Sequence, residues 1–551
     1  MVTSLMAITC SFNAWAIVDM KDANYSETWT DLDLGGPGYI LKVTRTYNSR
    51  SIHDGIFGFG WCSDFETKLE ITPESNIKVT ECGGGMETVF EDGSNNLAQR
   101  NALIDKIVKK VREDKKNSGL KENYFENFKK ELINNNYLRE AFATELGFKG
   151  SITKGKSYKA IGKNEVVEVE ANSYKRKLSD GTFQRFDSQG RLVAMYDKSL
   201  NFIKITYANN KIVSVVDNKS RRLSFKYHKS NGKVSAIISA PTKKAVSYTY
   251  SSHDLATVNN AWGSRFTYLY DDMHNLVKII HPDNTTKEIA YDKDKDWVVG
   301  FKDQKGCKET YLYRDSEDDP RNHYWSEVTK MCNGKVTNKS KYEFWHKDRA
   351  DKSGKYLARV RSEINGMVTD IKYHETIGRP VYKQDGTEIV TYSYYANGSL
   401  KTEKNERIST TYFYDGACSK ISKMVQENLL ERQVASRKDT TVFQYNKPSC
   451  NLKKAMNSKG ESAELHYDAA GRIIKVVDHT AKQLNIAYNS QTGKPARLTR
   501  PGLGSIDVVY DQQGQMVSVK SSQGAEVATQ VANVFNNILR VIGPASNDIS
   551  I

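Results

Sequence analysis

The sequence predicts a mainly β protein: a long antiparallel sheet of repeated hairpins, wound into a curled or shell-like strip, with one helical insertion. Three observations predict it. The phrase Tyr-Asp-x-x-Gly-Arg recurs with small changes, as in YDAAGR at 467–472 and FDSQGR at 186–191. The aromatic residues that open this phrase recur every 20 to 23 residues over long stretches of the chain. Tyrosine, a strand-forming residue, occurs 31 times against 19 phenylalanines.

Each repeat aromatic residue marks one unit of the chain. Self-similarity at a fixed period of about 20 residues is typical of architectures in which each unit packs on its neighbours. We therefore expect these residues to form a row in the core of the repeat. They are Phe186, Tyr207, Tyr227, Tyr250, Tyr270, Tyr291, Tyr467, Tyr488 and Tyr510.

One unit has the pattern of a β-hairpin. In the segment RLSFKYH, Leu223, Phe225 and Tyr227 alternate with polar residues, which is the period of two that strands show. A turn rich in Asp, Asn, Ser and Gly follows, and these residues favour hairpin turns. Because a lone hairpin is unstable in water, consecutive hairpins should pair into one sheet. We expect the tyrosine row to be mostly buried on the concave side of that sheet.

Residues 94–150 break the pattern and predict a basic insertion of two or three helices. Apolar residues recur there at helical spacing, with Ser94 or Asn96 as an N-cap and Gly147 as a C-cap. A surface bundle and a lid over an opening of the shell both fit this segment. The apolar positions are Leu97, Ile104, Ile107, Val108, Val111, Phe125, Phe128, Leu132, Leu138, Ala141, Phe142 and Leu146.

The N-terminus resembles the end of a secretory signal peptide. Residues 1–12 are apolar and small, and Ala14-Trp15-Ala16 has the A-x-A form of a cleavage site. We expect cleavage after Ala16 and export to the periplasm, the cell surface or the medium. A buried first strand is the alternative. No other stretch approaches the ~20 apolar residues of a membrane helix.

Six cysteines follow the predicted signal peptide, and an even number suits an oxidising compartment. Six cysteines allow 15 connectivities. We expect neighbours in sequence to pair, because each separation is close to one hairpin unit. The expected pairs are Cys62 with Cys82, Cys307 with Cys332 and Cys418 with Cys450.

The composition and motifs argue against catalysis. The net charge is +15, but the basic residues are spread along the chain, which favours lysine-rich strand edges of a soluble protein over attraction to nucleic acid, anionic lipid or acidic glycan. The chain lacks zinc-ligand spacings, a nucleophile elbow, an H-E-x-x-H pair and a P-loop. We therefore expect no cofactor, no metal and no enzymatic activity.

The repeats resemble those of a known family. YDAAGR and its variants resemble the YD repeats of Rhs proteins, wall-associated toxins and teneurins. Residues 35–69 resemble the domain that opens Rhs-type chains, where the strand Thr44–Ser49 precedes the turn Gly58–Trp61. The resemblance is weak across 315–365, where the spacing is lost. It implies a β strip wound into a hollow shell, which encloses a C-terminal toxin or acts at cell surfaces where glycans and partner proteins bind.

The chain departs from that family at its C-terminal end. The Pro-x-x-Gly-x₅-Asp-Pro signature of self-cleaving Rhs chains is absent, and the one Asp-Pro pair, Asp319-Pro320, has different surroundings. Only 40 residues follow Tyr510-Asp511, fewer than a typical toxin domain. The expected organisation is a signal peptide at 1–16, an Rhs-type N-terminal β domain at 17–93, the helical insertion at 94–150, the YD-repeat shell at 151–523 and a C-terminal segment at 524–551.

These observations favour an exported, non-enzymatic YD-repeat shell protein that encloses or presents a partner in cell-to-cell interaction. A protein partner or cargo is expected, and nucleic acid is not. Two alternatives remain at this stage. One is a glycan-binding adhesion module of the cell surface, and the other is a remnant carrier of a separately encoded toxin.

Overall fold

The computed structural model describes residues 17–35, 38–92, 97–160, 163–240, 242–350, 354–430, 438–489, 493–510 and 516–521. These ranges contain 42 strands and three α-helices. The predicted signal peptide, the C-terminal segment 524–551 and the helix caps Ser94 and Asn96 lie outside the described residues.

The described residues from 17 to 62 build a small antiparallel sheet of order β1-β2-β3-β6, with a two-stranded hairpin of β4 and β5 beside it. A 3₁₀ helix, Asp64–Glu66, follows it. The strands are β1 (Ile17–Asp19), β2 (Asn24–Asp33), β3 (Lys42–Asn48), β4 (Asp54–Gly55), β5 (Gly58–Phe59) and β6 (Trp61–Cys62).

The remaining strands form one strip of 36 antiparallel strands, in which each strand pairs with the next in sequence. This agrees with the predicted fold class. The strands of its first part are β7 (Lys68–Ile71), β8 (Ile77–Thr80), β9 (Glu87–Glu91), β10 (Ser157–Ala160), β11 (Val166–Val169), β12 (Ser173–Lys177), β13 (Phe183–Asp187), β14 (Leu192–Tyr196), β15 (Phe202–Ala208), β16 (Lys211–Asp217), β17 (Arg222–Tyr227), β18 (Val234–Ser239), β19 (Ala245–Ser251), β20 (Asp254–Asn259), β21 (Arg265–Tyr270), β22 (Leu276–Ile280), β23 (Thr286–Tyr291) and β24 (Val298–Lys302).

The second part of the strip continues the same pairing without a crossover. Its strands are β25 (Lys308–Asp315), β26 (His323–Cys332), β27 (Lys335–Asp348), β28 (Lys355–Ile364), β29 (Met367–Tyr373), β30 (Pro380–Asp385), β31 (Glu388–Tyr394), β32 (Leu400–Lys404), β33 (Ile408–Tyr414), β34 (Ile421–Asn428), β35 (Lys438–Asn446), β36 (Asn451–Asn457), β37 (Ser462–Tyr467), β38 (Ile473–Asp478), β39 (Gln483–Tyr488), β40 (Pro495–Arg500), β41 (Gly504–Tyr510) and β42 (Met516–Ser521).

Strands β26 to β28 explain why the repeat spacing is lost around residue 340. They are 10, 14 and 10 residues long, whereas β14 and β15 have 5 and 7. The hairpin pattern continues through this region, but each hairpin is longer. The distance between equivalent turns therefore grows, and the aromatic residues fall out of phase.

A β-bulge accompanies the repeat tyrosines. The register shifts between Lys226 and Tyr227, and again between Ala487 and Tyr488. A bulge bends its strand and increases the local twist of the sheet. Its recurrence at Tyr207, Tyr250, Tyr270, Tyr291, Tyr467 and Tyr510 gives the strip a regular source of curvature.

The insertion consists of α1 (Leu97–Glu113), α2 (Glu122–Asn134) and α3 (Asn136–Glu145). It lies between β9 and β10, yet these two strands pair with each other, with Phe90 opposite Ala160. The helices therefore interrupt the chain but not the sheet. Two further 3₁₀ helices, Glu81–Gly83 and Lys115–Asn117, lie before and within this region.

The three helices share a small apolar core that follows most of the predicted stripe, including the fully buried Ile104, Ile107 and Leu132. Two predicted positions are wrong: Leu97 is 41% exposed and Ala141 is exposed. The cluster contains Leu103 and Ala143 instead. Leu97 is the first residue of α1 and lies outside the cluster. The predicted C-cap Gly147 has φ +74° and its amide donates to the Thr144 carbonyl at 3.0 Å.

The start of the strip packs against one of its own later turns. The Leu69 amide in β7 donates to the Gly190 carbonyl at 2.8 Å, in the turn between β13 and β14. Gly190 has φ +77°, and a Cβ there would clash with the Leu69 carbonyl. Glycine is therefore required by both the backbone conformation and the close approach. This contact covers part of the first edge of the strip.

A second contact joins parts of the strip that are about 270 residues apart. The Asn201 side chain donates to the Ala470 carbonyl at 3.0 Å, and Asn451 donates to the Ser199 hydroxyl at 3.4 Å. Gly471 has φ +82°, and a Cβ there would clash with Ser199. We call this contact between the turns 197–201 and 468–472 the seam. The strip therefore winds back on itself, although its end strands β7 and β42 are not paired with each other in the described residues.

Candidate functional site: the inner face of the strip

The repeated phrase is a self-contained turn. One carboxylate oxygen of Asp468 accepts the amides of Ala470 and Arg472, each at 2.9 Å, and the other accepts Arg472 Nε at 2.8 Å. The Arg472 guanidinium lies 4.5 Å from the ring centre of Tyr488, the next repeat tyrosine. Asp, Gly and Arg thus hold one turn and place a cation on the neighbouring unit. Asp187, Arg191 and Tyr207 repeat this arrangement.

The repeat tyrosines tie each hairpin to the one before it. The Tyr467 hydroxyl donates to the Leu452 carbonyl at 2.7 Å, and the Tyr488 hydroxyl donates to the Ile473 carbonyl at 2.8 Å. Burial raises the pKa of Tyr488 to about 12. The same bond, to a carbonyl 15 or 16 positions earlier, is made by Tyr207, Tyr227, Tyr250, Tyr270, Tyr291 and Tyr510.

The tyrosine rings lie on one face of the strip together with its apolar core. Leu223 and Phe225 of β17 are buried, whereas Lys226 between Phe225 and Tyr227 is exposed. The repeat tyrosine rings themselves are half-buried, and Phe186 is fully buried. This face also contacts β1 to β6, and we call it the inner face.

The small N-terminal sheet covers the inner face from β17 to β26. Phe65 packs edge-on against Phe225, with ring centres 6.1 Å apart. The Trp61 indole N–H donates to the Tyr270 hydroxyl at 2.8 Å. At the far end of the covered part, the Ser326 hydroxyl bonds to the backbone of the segment after β1. The first part of the inner face is therefore part of a closed core.

A buried ion pair holds this cover in place. Asp31 and Arg45 are at most 1% exposed, and their charged atoms are 2.7 Å apart. Arg45 also donates to the Tyr268 hydroxyl at 2.6 Å, and the Tyr248 hydroxyl donates to Asp31 at 3.0 Å. Burial raises the pKa of Asp31, while Arg45 opposes that rise. Loss of either partner would leave an unpaired buried charge.

The sequence predictions do not include this ion pair. A signal was nevertheless present in β3, where Arg45 shares one face of the strand with the buried Val43 and Tyr47. A charged residue in an apolar alternation requires a buried partner, since an unpaired charge is costly in the core. The identity of that partner depends on the pairing of β2 with β3 and on the register shift between Thr30 and Leu32.

The inner face loses its cover further along the strip. Most of its buried apolar residues fall into two clusters, one reaching Tyr311 in β25 and the other beginning at Phe443 in β35, with Phe344 and Tyr412 buried singly between them. In the five strands from β28 to β32 no described side chain is fully buried. A cavity of about 380 Å³ borders this stretch, with Val390, Tyr412 and Met424 in its wall.

A larger cavity of about 560 Å³ lies at the seam. Three separate segments line it: described residues from 38 to 65 in and just after the N-terminal sheet, residues from 182 to 203 around the first turn of the seam, and residues from 451 to 488 and from 493 to 495 around the second. We call it the seam cavity. Its wall contains Tyr39, Tyr467 and Tyr488 together with charged residues.

The disulfides join the pairs expected from the sequence, Cys62–Cys82, Cys307–Cys332 and Cys418–Cys450, with Cα atoms 5.3, 4.3 and 5.5 Å apart. The first links the N-terminal sheet to the strip. The other two link neighbouring units within it. Such bonds persist in oxidising compartments.

The described residues contain no group of three or more His, Cys, Asp or Glu side chains that could hold a metal ion. In the same part of the chain, none of the three helices has the length and apolar character to cross a membrane.

Two family models match the chain. Residues 17–90 match a domain of unknown function (DUF6531), and residues 157–549 match the teneurin YD-shell. The two matches lie on either side of the helices. No curated protein sequence matches this chain.

Solved structures with similar architecture belong to much longer chains. The crystal structure of TcdB2-TccC3-TEV aligns with 93% of this chain and 28% of its own, at 10% identity and a TM-score of 0.41. TcdB2-TccC3 without its hypervariable C-terminal region aligns with 91% of this chain and 30% of its own, at 11% identity and a TM-score of 0.35. The Photorhabdus luminescens Tc holotoxin pore aligns with 88% and 37%, at 9% identity and a TM-score of 0.29. Similarity at this level transfers no property to this chain.

A continuous strip of YD hairpins, wound until its turns meet and covered on part of its inner face by a small sheet, defines a YD-repeat shell protein. The family match covers well over half of the sequence. The chain belongs to the Rhs/YD-repeat family, within its teneurin YD-shell group. It is a structural shell scaffold.

Proposed function

We propose that this chain is an exported, non-enzymatic shell that encloses or presents a protein partner in cell-to-cell interaction. Three disulfides support export, because such bonds persist outside the reducing cytosol. The proposal includes the expected division into an N-terminal β domain at 17–93, a helical insertion at 94–150 and a shell at 151–523. It also includes removal of residues 1–16 as a signal peptide.

One observation carries the proposal: the inner face is half-covered. From β17 to β26 the N-terminal sheet packs on it, whereas from β28 to β32 the described side chains are at most half-buried. The uncovered part carries Val360, Ile371 and Val390 beside Lys383 and Glu403. Mixed apolar and charged surface of this kind suits a polypeptide better than lipid.

Site-specific cross-linking tests this proposal. A photoreactive benzoylphenylalanine replaces Tyr392, which lies on the uncovered inner face, or Phe413, which lies on the opposite face and is 40% exposed. Both changes replace one aromatic ring with another, so the two variants are matched. Each is irradiated in the native cell, and cross-linked peptides are identified by mass spectrometry.

We expect position 392 to give a discrete polypeptide partner and position 413 to give none or a diffuse set. Equal cross-linking at both positions would contradict a partner on the inner face. Cross-links from position 392 to this chain alone would show that the protein covers its own inner face. In that case a self-sufficient surface module becomes the better account.

A second candidate function is recognition of glycans at the cell surface. The seam cavity favours it, because its wall combines three tyrosine rings with charged and amide side chains. Its volume of about 560 Å³ lies within the range of small-ligand sites. Binding of any saccharide in this cavity, measured by calorimetry and lost in the Tyr39→Ala variant, would support this function.

A further inference from the structure

A cavity of about 320 Å³ lies where the N-terminal sheet meets the strip. One side of its wall comes from β4, from the loop before it and from the 3₁₀ helix Asp64–Glu66, and the other comes from the units of Tyr207 and Tyr227. We call it the junction cavity. It shares only Phe65 with the seam cavity, and no residue of β28 to β32 lies in its wall.

Glu66, in this wall, has a carboxylate oxygen without a donor. Its Oε1 accepts the Ile56 amide at 2.9 Å and lies 3.3 Å from His53 Nε2. Its Oε2 is buried and has no hydrogen-bond partner in the described structure. The side chain is only 12% exposed, and a buried acceptor without a donor is costly. A donor that enters the cavity would therefore be bound there.

Lys211 is a cation of the same wall that also lacks a partner. Its Nζ lies 5.0 Å from the ring centre of Tyr227, but among the described residues it has no hydrogen-bond acceptor and no carboxylate within ion-pair distance. Lys211 is exposed, so it lies where the cavity opens to solvent. The other basic residues of the wall are paired, Lys233 with Asp54, Arg191 with Asp187 and Lys68 with Glu70.

Aromatic and aliphatic side chains form much of the remaining wall. Tyr207 and Tyr227 donate their hydroxyls to the carbonyls of Leu192 and Ile212, at 2.8 and 2.7 Å, so they offer their rings to the cavity. Burial raises the pKa of both tyrosines, and the charge of Glu66 adds to the rise. The unsatisfied carboxylate therefore lies close to a surface that suits an apolar group.

We propose that the junction cavity binds a free apolar α-amino acid. Its ammonium group donates to Glu66 Oε2, its carboxylate pairs with the Lys211 ammonium, and its side chain lies against the tyrosine rings. An α-amino acid carries both charges on one carbon, which matches one unsatisfied acceptor and one unpaired cation across a small cavity.

The two charged partners come from different parts of the molecule. Glu66 belongs to the segment that follows the N-terminal sheet, and Lys211 belongs to the strip. A bound amino acid would therefore join the cover to the strip and stabilise the fold. The proposal depends neither on a partner of the inner face nor on glycan recognition.

The test is isothermal titration of the purified protein with L-phenylalanine and L-leucine. L-phenylalaninamide lacks the carboxylate of the first probe, and 3-phenylpropionate lacks its ammonium group. Glu66→Gln removes the negative charge and keeps an acceptor for the Ile56 amide, and Lys211→Gln removes the cation. The matched controls are Glu363→Gln, 46% exposed and outside the cavity, and Lys226→Gln, on the opposite face of β17.

We expect at least one of the two amino acids to bind. For phenylalanine, loss of the ammonium group or Glu66→Gln should weaken binding about tenfold or more, because both remove a buried charge-assisted bond. Loss of the carboxylate or Lys211→Gln should weaken it about threefold or more, since solvent screens an exposed pair. The controls should leave binding unchanged. If Glu66→Gln does not fold, Lys211→Gln and the two analogues still decide the outcome.

Three results would overturn the proposal. Equal binding of L-phenylalanine and L-phenylalaninamide, lost in Glu66→Gln, would assign the cavity to the amino terminus of a peptide. Binding that survives both Glu66→Gln and Lys211→Gln would place the amino acid elsewhere on the protein. Absence of binding at amino-acid concentrations on the order of 10 mM would show that water alone satisfies Glu66 Oε2.

Discussion

At the scale of single residues, the tyrosine and the aspartate of each unit have different tasks. Asp468 holds its own turn by accepting local amides, whereas Tyr467 reaches back to the Leu452 carbonyl of the preceding hairpin. The first bond is local and the second joins neighbouring units. The phrase therefore recurs because each unit needs both a turn and a connection.

Removing one of these connections should lower stability modestly. Tyr467→Phe keeps the ring and deletes the hydroxyl, leaving the Leu452 carbonyl without that donor. We expect a loss of about 1 kcal/mol in the free energy of unfolding, the usual value for one hydrogen bond. Denaturant unfolding measures it, with Tyr137→Phe as the control, since Tyr137 is 73% exposed. If Tyr467→Phe and Tyr137→Phe change the stability equally, the Tyr467 hydroxyl does not connect neighbouring units.

A histidine should make the fold sensitive to acid. Burial, with help from Lys287, lowers the pKa of His281 from 6.5 to about 4. Folding thus favours the neutral ring, so its contribution is complete above pH 6.5 and is lost as the pH falls towards 4. The expected loss is about 1–2 kcal/mol after solvent screening.

The measurement is the melting temperature of the wild type and His281→Gln between pH 7 and pH 4. As the pH falls, the melting temperature of the wild type should decrease more than that of His281→Gln. His466→Gln serves as the control, because the His466 side chain is 45% exposed. A difference between wild type and His281→Gln that stays constant with pH would contradict the lowered pKa.

At the scale of elements, the hairpins could be predicted from the sequence because their signals are local. The alternation of Leu223, Phe225 and Tyr227, the turn residues and the cysteine spacing each depend on a few neighbouring positions. The contact of Ser199 with Asn451 does not. It joins residues 252 apart and depends on twist accumulated over more than 20 strands, which no local pattern records.

The disulfides between neighbouring units should raise the free energy of unfolding. The bond between Cys307 and Cys332 closes a loop of 25 residues across β25 and β26. Replacing both residues by serine should cost roughly 2–4 kcal/mol, because the unfolded chain regains the freedom that the cross-link removed. Unfolding in denaturant measures the loss. A double variant as stable as the wild type under non-reducing conditions would show that the cross-link does not stabilise the strip.

The helical insertion should be removable without loss of the sheet. Strands β9 and β10 pair directly, with Phe90 opposite Ala160, so a two-residue Asn-Gly turn can replace residues 94–156 and keep this register. Circular dichroism should lose its helical signal at 222 nm and keep its strand signal, with cooperative melting retained. A chain that no longer folds would show that the helices are needed to assemble the strip.

At the scale of the whole molecule, the account depends on winding. Bulges at the tyrosines supply curvature, the N-terminal sheet fills the first part of the inner face, and the turns 197–201 and 468–472 meet at the seam. The uncovered strands β28 to β32 and the seam cavity are both consequences of that path. If the strip did not return to its own earlier turns, the seam cavity would not exist.

The most direct test of this claim is a designed cross-link across the seam. Ser199→Cys and Asn451→Cys place thiols on the two side chains whose hydroxyl and amide nitrogen are now 3.4 Å apart. The matched control pairs Ser199→Cys with Ser393→Cys, on the exposed face of a distant strand. Peptide mapping by non-reducing mass spectrometry should find a bond between positions 199 and 451 in most molecules and none in the control. Two free thiols at 199 and 451 in the folded protein, or equal bonding in the control, would contradict the wound strip.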